Sequence, residues 1–271
     1  QRALGSLNVA VVGCGGTGSA VAEQLVRLGV RHLRLVDPDV LSASNVTRVY
    51  GSTAADVDRP KVDVLAEHLA RIAPDVQVDT MPSMLTVEAT ARAVSRADVV
   101  FGCTDDNAGR LVLSRLSTYM SILVIDCGVI LSSNGGGTLD GIHGRVTTLS
   151  PGSACLVCRN RIDTARAASE LLTPEERVRL VDEGYAPALA GIEPAVITFT
   201  TAVAAAAVSE LLERLTAFGP EPVPSEIILR LHDREISTNV QAPRQRHYCH
   251  PETKKIGLGD TTPFLEQTWQ A

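Results

Sequence analysis

The sequence is poor in aromatic residues and has no apolar run of membrane-spanning length. Phe, Trp and Tyr together make up 3% of the 271 residues, which disfavours the stacking of nucleic-acid bases on aromatic rings. The longest apolar stretch, at 194–209, is rich in Ala and Thr and falls short of the roughly 18 residues that a membrane span needs. This stretch is therefore predicted to be a buried helix.

Cysteine and net positive charge are also scarce. Six cysteines spread over a chain of this length do not make the dense disulfide framework of a small secreted domain. The formal net charge of −6 disfavours nucleic acid and anionic membranes as partners. We predict a cytoplasmic protein with no nucleic-acid and no membrane partner. Because the chain begins with Gln1 rather than Met, we also expect a fragment that lacks its native N-terminus.

The first half of the sequence alternates apolar strands with amphipathic helices. Apolar runs predict strands at 8–13, 31–36, 76–81, 97–102 and 122–126. Helical periodicity predicts helices at 17–28, 61–72, 87–95 and 107–119. This alternation predicts an α/β fold, a Rossmann-like doubly wound sheet that is mostly parallel.

The second half has a different pattern, with alternating apolar residues that predict antiparallel strands at 141–149, 227–231 and 235–240. A charged helix is predicted at 173–181 and a long one at about 194–215, and glycines at 135–137 predict a flexible joint. We expect a single domain over 1–271, in which the antiparallel strands of 135–271 extend the sheet of 1–134.

A glycine-rich turn follows the first strand, and its sequence predicts a nucleotide site. Gly13-Cys14-Gly15-Gly16-Thr17-Gly18 fits G-x-G-x-x-G and precedes a helix, whose free N–H groups and positive dipole end attract phosphate. Asp37 ends the next strand and is placed to accept hydrogen bonds from ribose hydroxyls. This pattern alone does not separate a dinucleotide redox cofactor from ATP.

Four further motifs follow in order along the chain: Asp37-x-Asp39, Ser44-Asn45-Val46-Thr47-Arg48, Lys61, and Cys103-Thr104-Asp105. Together with the glycine turn they resemble the ubiquitin-activating-type adenylyltransferases, the ThiF/MoeB/HesA family. The resemblance covers about residues 3–240 and is dense over 8–128. It implies that 1–134 is an ATP-binding half and that 135–271 is a substrate and zinc half.

The resemblance also implies individual roles. Gly15 and Gly16 approach the nucleotide, Asp37 holds the ribose, and Ser44, Asn45 and Arg48 line the triphosphate. Lys61 lies beside the α- and β-phosphates, and Asp105, helped by Asp106, holds Mg²⁺. Arg48, Lys61 and Asp105 are the expected catalytic residues. This agrees with the chemistry, because a carboxylate that attacks ATP brings two anions together and needs cations to offset their charge.

The C-terminal half supplies a candidate zinc site. Cys155-x-x-Cys158 resembles one half of the family's four-cysteine zinc site, and the tail offers His247-Tyr248-Cys249-His250. A Cys₃His site of Cys155, Cys158, Cys249 and one histidine is chemically sound. We prefer His247 as the fourth ligand, because adjacent Cys249 and His250 cannot easily bind the same ion.

The family resemblance implies an ATP- and Mg²⁺-dependent adenylyltransferase. Its expected substrate is the C-terminal carboxylate of a ubiquitin-like or sulfur-carrier protein, or of a peptide, and a homodimer is expected by analogy. The loop at 181–187, where some relatives carry a thioester cysteine, has none. Two alternatives remain open: an NAD(P)-dependent oxidoreductase, which leaves Arg48, Lys61 and Asp105 unexplained, and a non-catalytic partner subunit.

Overall fold

The computed structural model describes residues 2–133, 139–172, 196–219, 221–259 and 261–269. The strands are β1 (Asn8–Val12), β2 (His32–Val36), β3 (Gln77–Met81), β4 (Val99–Gly102), β5 (Leu123–Ser133), β6 (Leu139–Leu149), β7 (Glu226–Arg230) and β8 (Glu235–Asn239). They form one sheet in the order β3-β2-β1-β4-β5-β6-β7-β8.

The helices occupy both faces of this sheet. They are α1 (Arg2–Gly5), α2 (Gly16–Leu28), α3 (Lys61–Ile72), α4 (Glu88–Val94), α5 (Asn107–Tyr119), α6 (Thr164–Glu170) and α7 (Ile197–Thr216). Short 3-10 turns lie at Ala54–Asp56, Pro251–Thr253 and Phe264–Glu266. Among the described residues, no helix is both long and apolar enough to cross a bilayer.

The fold class predicted from the sequence is confirmed. Strands β3, β2, β1, β4 and β5 pair in parallel, and β5 through β8 pair antiparallel. The predicted bounds of α3 and α5 are also confirmed to the residue. The expectation of a single domain stays a prediction.

The core has two layers, one on each side of the sheet. Along β1, Val9 and Val11 join an apolar cluster with buried residues of α2, α3 and α7. Their neighbours Ala10 and Val12 join a second cluster with residues of α4 and α5. Because successive strand residues point to opposite faces, the continuous apolar run of β1 is what a strand buried on both sides requires.

Strand β5 is longer than predicted, and this places one wall of the functional site. Its pairing with β4 ends at Asp126, opposite Gly102. Beyond that point β5 continues to Ser133 paired with β6, with Gly128 opposite Arg145. The strand therefore extends past the carboxyl edge of the parallel sheet.

Three predicted features lie outside the described residues, and one observed helix was not predicted. The glycine joint at 135–137, the charged helix at 173–181 and the loop at 181–187 lie outside the described part of the chain. Helix α6 was not predicted. Its first turn is capped by Asp163, whose carboxylate accepts hydrogen bonds from the N–H groups of Ala165 and Arg166.

Candidate functional site

A cleft of about 360 Å³ opens at the carboxyl edge of the parallel strands. Its lining comes from the segments that follow β1, β2, β3 and β4, from β5, and from α3, α5 and α7. Doubly wound sheets bind their ligands at this edge. The strand order sets the order across the cleft: the loop after β2, the glycine turn after β1, the loop after β4, and finally β5.

The glycine turn packs so closely on the end of β4 that side chains do not fit. Gly13 has a φ of 89°, and a Cβ there would lie 2.6 Å from the carbonyl oxygen of Cys103. A Cβ on Gly18 would lie 1.8 Å from the carbonyl oxygen of Gly13. Gly15 differs, because nothing lies within 4 Å of its Cβ position. Its open side faces the cleft, where a phosphate could approach the backbone.

Helix α2 begins at this turn with its N–H groups available. Its N-cap is Gly15, and no side chain among the described residues caps it. Gly15, Gly16 and Thr17 all line the cleft. The uncapped N-terminus therefore supplies donors and a positive dipole end for an anion.

Asp37 is buried at the end of β2. Its carboxylate accepts hydrogen bonds from the backbone N–H groups of Cys14 at 2.6 Å and Asp39 at 2.9 Å. Burial raises the pKa of Asp37, and the nearby Lys61 ammonium partly offsets this. The carboxylate thus ties the glycine turn to β2 while it lines the cleft.

Lys61 is the first residue of α3, and its ammonium group lies between two carboxylates. Its Nζ is 2.7 Å from Asp39 and 3.9 Å from Asp37. The side chain is 11% exposed, so the ammonium is held in the cleft wall. Sequence reasoning gave Asp39 no role, although the Asp-x-Asp spacing contained the signal for it.

Arg48 projects from a compact turn that begins after Leu41. Its guanidinium donates to the carbonyl of Ser44, and its Cδ lies 3.4 Å from the Cβ position of Gly16. Arg48 lines the cleft, whereas Ser44 and Asn45 are not among its lining residues. The Asn45 side chain instead accepts a hydrogen bond from the Ser42 N–H. The direct contact of Ser44 and Asn45 with a triphosphate stays a prediction.

The two carboxylates after β4 have different environments. Asp105 is exposed and lines the cleft. Asp106 is the N-cap of α5, and its carboxylate accepts from the Gly109 N–H and from the Thr104 hydroxyl. Burial raises the pKa of Asp106. Asp105 is therefore the free carboxylate for a cation, and Asp106 organises the loop.

The wall beside β5 carries a third cation that sequence reasoning missed. Arg110 of α5 lines the cleft together with Cys127, Gly128 and Val129. Its only signal in the sequence was its position five residues after Asp105. The cations in the cleft lining are then Arg48, Lys61 and Arg110.

A separate cluster brings together Cys155, Cys158, His247 and Cys249. Their donor atoms all lie within 4.8 Å of one another. The Sγ atoms of Cys158 and Cys249 are 3.6 Å apart, and the Nδ1 of His247 lies 3.6, 3.4 and 3.3 Å from the three sulfurs. Tetrahedral zinc, with Zn–S of about 2.3 Å and Zn–N of about 2.0–2.1 Å, separates its donors by roughly 3.5–3.8 Å. The donor set fits zinc.

The two candidate histidines differ in their contacts with this cluster. His250 caps the turn at Pro251–Thr253, and its Nδ1 accepts a hydrogen bond from the Glu252 N–H, whereas His247 points its Nδ1 at the sulfurs. A hydrogen bond from Cys249 is the main cause that lowers the pKa of Cys155 to about 5. A thiolate, the form that binds metals, is thus favoured at Cys155, while the same hydrogen bond raises the pKa of Cys249.

Comparison with known proteins finds adenylyltransferases among the relatives of this chain. The chain is 33% identical over 151 residues to the sulfur carrier protein ThiS adenylyltransferase of Escherichia coli strain K12, which is 56% of each chain. It is 29% identical over 164 residues to the molybdopterin-synthase adenylyltransferase of the same strain, covering 60% of this chain and 62% of the relative. These matches span less than two thirds of either relative.

The fold has close structural neighbours as well. The crystal structure of E. coli MccB with ATP covers 92% of this chain and 68% of its own, with a TM-score of 0.69 and 16% identity. At that identity the likeness concerns the fold alone. The model of the ThiF family matches residues 1–250. This match, on a chain whose parallel sheet carries the glycine turn, Arg48, Lys61 and Asp105 at one edge, shows that the chain belongs to the ThiF family.

Proposed function

We propose that this chain adenylates the C-terminal carboxylate of a ubiquitin-like or sulfur-carrier protein, using ATP and Mg²⁺. The observation that carries the proposal is the convergence of an uncapped helix N-terminus, Arg48, Lys61 and Asp105 in one cleft. The named relatives are adenylyltransferases, which supports the same reaction. An oxidoreductase would leave these charged groups without a task.

The reaction is a displacement at the α-phosphorus of ATP. A carboxylate oxygen of the acyl substrate forms a bond to that phosphorus, and the bond to the bridging oxygen of the β-phosphate breaks. Pyrophosphate leaves with the electron pair, and no proton moves, because the carboxylate is already ionised at neutral pH. The enzyme therefore needs no general base. It needs positive charge around the phosphates and a fixed geometry.

Each cationic group of the cleft has a place in this scheme. The N-terminus of α2, beside Gly15 and Gly16, holds the phosphates from one side, as helix N-termini do. Arg48 offsets charge on the β- and γ-phosphates, and Lys61 does so beside the α-phosphate. When nucleotide binds, Lys61 is expected to exchange part of its contact with Asp39 for contact with phosphate.

Asp105 is the residue that would hold Mg²⁺. Magnesium bound with nucleotides commonly takes one or two carboxylates, phosphate oxygens and several waters, and the exposed Asp105 fits that need. The ion supplies charge neutralisation on the phosphates when it is bound. Asp106 helps indirectly, because its cap holds the loop that presents Asp105.

Three finer proposals accompany this one. Zinc occupies the cluster of Cys155, Cys158, His247 and Cys249 as a structural ion. The compartment is the reducing cytoplasm, in keeping with six free cysteines. The protein is a homodimer, and it releases its adenylate to another thiol, amine or sulfur donor, since no thioester cysteine occurs at 181–187.

The proposed function is tested by ATP–[³²P]pyrophosphate exchange with Mg²⁺. The acyl substrates are the ubiquitin-like and sulfur-carrier proteins of the source organism and a peptide that ends in Gly-Gly. Asp105→Asn is expected to lower exchange by about 100-fold or more, whereas the matched control Asp75→Asn, at an exposed carboxylate outside the cleft lining, should keep the activity. Absence of exchange with all of these acids would overturn the proposal.

A further inference from the structure

Of the three cations in the cleft lining, Arg110 is the one to which phosphate binding assigns no role. The strand order puts Asp37 and Lys61 beside β2, the glycine turn at β1, Asp105 after β4, and Arg110 beside β5. Neighbouring strands lie about 4.8 Å apart, so the wall at β5 is roughly 10 Å from the glycine turn. A nucleotide held by the turn, with Mg²⁺ at Asp105, leaves the β5 side to the second reactant.

The guanidinium of Arg110 is held loosely in this wall. Its Nη2 donates to the carbonyl of Cys127 at 3.4 Å, and its Nε lies 3.5 Å from Oδ1 of Asp126. That Nε is buried and makes no hydrogen bond to any described residue. Arginine has five N–H donors in a planar fork. Most of the donors of Arg110 are therefore left for a ligand.

A second arginine explains why Arg110 does not close onto Asp126. Asp126 is fully buried, and Arg145 of β6 donates to its Oδ2. The Nη2 atoms of Arg145 and Arg110 lie 3.2 and 3.6 Å from the Cβ position of Gly128. Two guanidinium groups thus lie beside one carboxylate, and both are close to Gly128. Their combined charge exceeds that of Asp126 by one positive unit.

We propose that Arg110 binds the carboxylate of the incoming acyl substrate and that Asp126 and Arg145 position it for this. The inference rests on the adenylation proposed above. By occupying Oδ2 of Asp126, Arg145 prevents a closed two-bond pair between Arg110 and Asp126. Arg110 then holds one oxygen of the acyl carboxylate while the other attacks the α-phosphorus. Gly128 leaves room for this arrangement, which a side chain would fill.

The charge balance of the cleft supports this assignment. An acyl carboxylate arrives at a cleft that already carries Asp37, Asp39, Asp105 and the phosphates of ATP. Unpaired like charges in a desolvated site oppose binding. A guanidinium fork matches the geometry of a carboxylate with two parallel hydrogen bonds. Arg110 meets that need without competing for the phosphates.

Direct binding separates the acid from its neutral analogue. The probes are an octapeptide that ends in Gly-Gly with a free carboxylate and the same peptide as its carboxamide, titrated into the chain with a non-hydrolysable ATP analogue and Mg²⁺. The acid is expected to bind at least about tenfold more tightly than the amide, and Arg110→Gln to remove the difference. Equal binding of acid and amide, or no binding of the acid by a chain that binds the nucleotide, would overturn the assignment.

Exchange kinetics show whether the loss of Arg110 affects the peptide acid or ATP. Arg110→Gln is expected to raise the KM for the peptide acid by about 10- to 100-fold while the KM for ATP stays within about twofold. Arg110→Lys should recover part of the loss, because a lysine keeps the charge but not the fork. Arg71→Gln, at an exposed position of α3, removes the same charge as a matched control and should change neither constant. A rise in the KM for ATP alone would contradict the proposal.

The positioning role is tested at Arg145. Arg145→Met leaves Asp126 free to pair with Arg110, so the KM for the acid should rise by about tenfold with the KM for ATP unchanged. Arg145→Lys, which keeps the ion pair, should recover the wild-type value. If the methionine variant fails to fold, Arg145→Gln, which removes the positive charge but keeps a hydrogen-bond donor beside Asp126, replaces it and should also raise the KM for the acid. A normal KM for the acid in folded Arg145→Met would overturn the positioning role alone.

Failure of the inference and failure of the proposed function give different results. Wild-type exchange with the peptide acid, together with an unchanged KM for that acid in Arg110→Gln, rejects the role of Arg110 and retains adenylation. Failure of the wild-type chain to bind the nucleotide analogue, or to exchange with any acid, rejects adenylation itself.

Discussion

At the scale of single residues, neighbouring side chains of one type have different tasks because their surroundings differ. Asp105 and Asp106 are adjacent, yet Asp106 is half-buried and serves as a helix cap, while Asp105 is exposed in the cleft. The sequence predicted both as magnesium contacts by resemblance. It could not separate them, because the difference depends on hydrogen bonds from Thr104 and Gly109 that form only in the folded loop.

Asp106 is expected to matter for stability through its cap. Asp106→Ala should lower the free energy of unfolding by about 1 kcal/mol, and Asp106→Asn by less, since asparagine caps helices nearly as well. Urea denaturation measures both values. Equal losses in the two variants would show that the negative charge, and not the cap, is what matters.

A pH dependence is expected from Glu226. Burial would raise its pKa, but hydrogen bonds from Arg161 and Asn239 outweigh this and lower the pKa to about 2. A carboxylate whose folded pKa is depressed stabilises the protein above its unfolded pKa of about 4.3, and this stabilisation is lost as the pH falls toward 2.

Glu226→Gln should therefore be most destabilising near neutral pH. Its loss relative to wild type is expected to shrink by about 1–2 kcal/mol between pH 6 and pH 3.5, measured by urea denaturation at each pH. A matched control is Glu235→Gln on β8, whose carboxylate is 65% exposed and whose effect should hardly vary. If the difference in free energy of unfolding between wild type and Glu226→Gln stayed constant with pH, the low pKa of Glu226 would be contradicted.

At the scale of elements, amphipathic helices and short parallel strands could be predicted well. The predicted bounds of helices α3 and α5 equal the observed ones, because apolar periodicity and the flanking residues mark both ends of each helix. Strand β5 was predicted only to Asp126, because Asp126 and Gly128 interrupt its apolar pattern before a second apolar run at 129–131, which pairs with β6. Arg110 lies on α5, which was predicted correctly, but its role was missed because it depends on the wall that β5 forms beside it.

The glycine turn gives a matched pair of substitutions. Gly18→Ala would place a methyl group 1.8 Å from the carbonyl oxygen of Gly13, so it should cost about 3 kcal/mol or more of stability. Gly15→Ala meets nothing within 4 Å and should cost about 1 kcal/mol or less, but its methyl group lies where a nucleotide approaches. Thermal unfolding and ATP titration separate the two, and a Gly15→Ala variant with unchanged ATP affinity would contradict the placement of the nucleotide.

The cysteine cluster is expected to bind one zinc ion per chain. Cys155 and Cys158 lie on the segment after β6, and His247 and Cys249 lie on the tail. The ion would therefore join two parts of the chain that are 89 to 94 residues apart in sequence. X-ray absorption should give three sulfur ligands and one nitrogen ligand. In His247→Ala the nitrogen should be lost, while in His250→Ala it should persist. A four-sulfur spectrum, or loss of zinc only in His250→Ala, would contradict the assignment.

At the scale of the whole molecule, the sheet brings together groups that are far apart in sequence. Its parallel half aligns Asp37, the glycine turn and Asp105 at one edge, and its antiparallel half adds the wall of β5. The sequence sufficed to predict the strands of the parallel half, and Asp37, the glycine turn and Asp105 each lie shortly after the end of one of these strands. The interaction of Arg110 with Asp126 and Arg145 depends on the pairing of β5 with β6, which no local pattern encodes.

The proposed homodimer is tested at this scale. Light scattering after size-exclusion chromatography should give a mass of twice the 28.7 kDa of one chain. A monomer at micromolar concentration would contradict it.

The most direct test of the central claim is to follow the oxygen of the acyl carboxylate. A Gly-Gly peptide acid labelled with ¹⁸O in its carboxylate is incubated with the protein, ATP and Mg²⁺, the adenylate is allowed to hydrolyse, and the AMP is analysed by mass spectrometry. Attack of the carboxylate on the α-phosphorus followed by hydrolysis at the acyl carbon predicts AMP that carries ¹⁸O, formed at least about 100-fold more slowly by Asp105→Asn. Unlabelled AMP, or label in inorganic phosphate, would contradict the account.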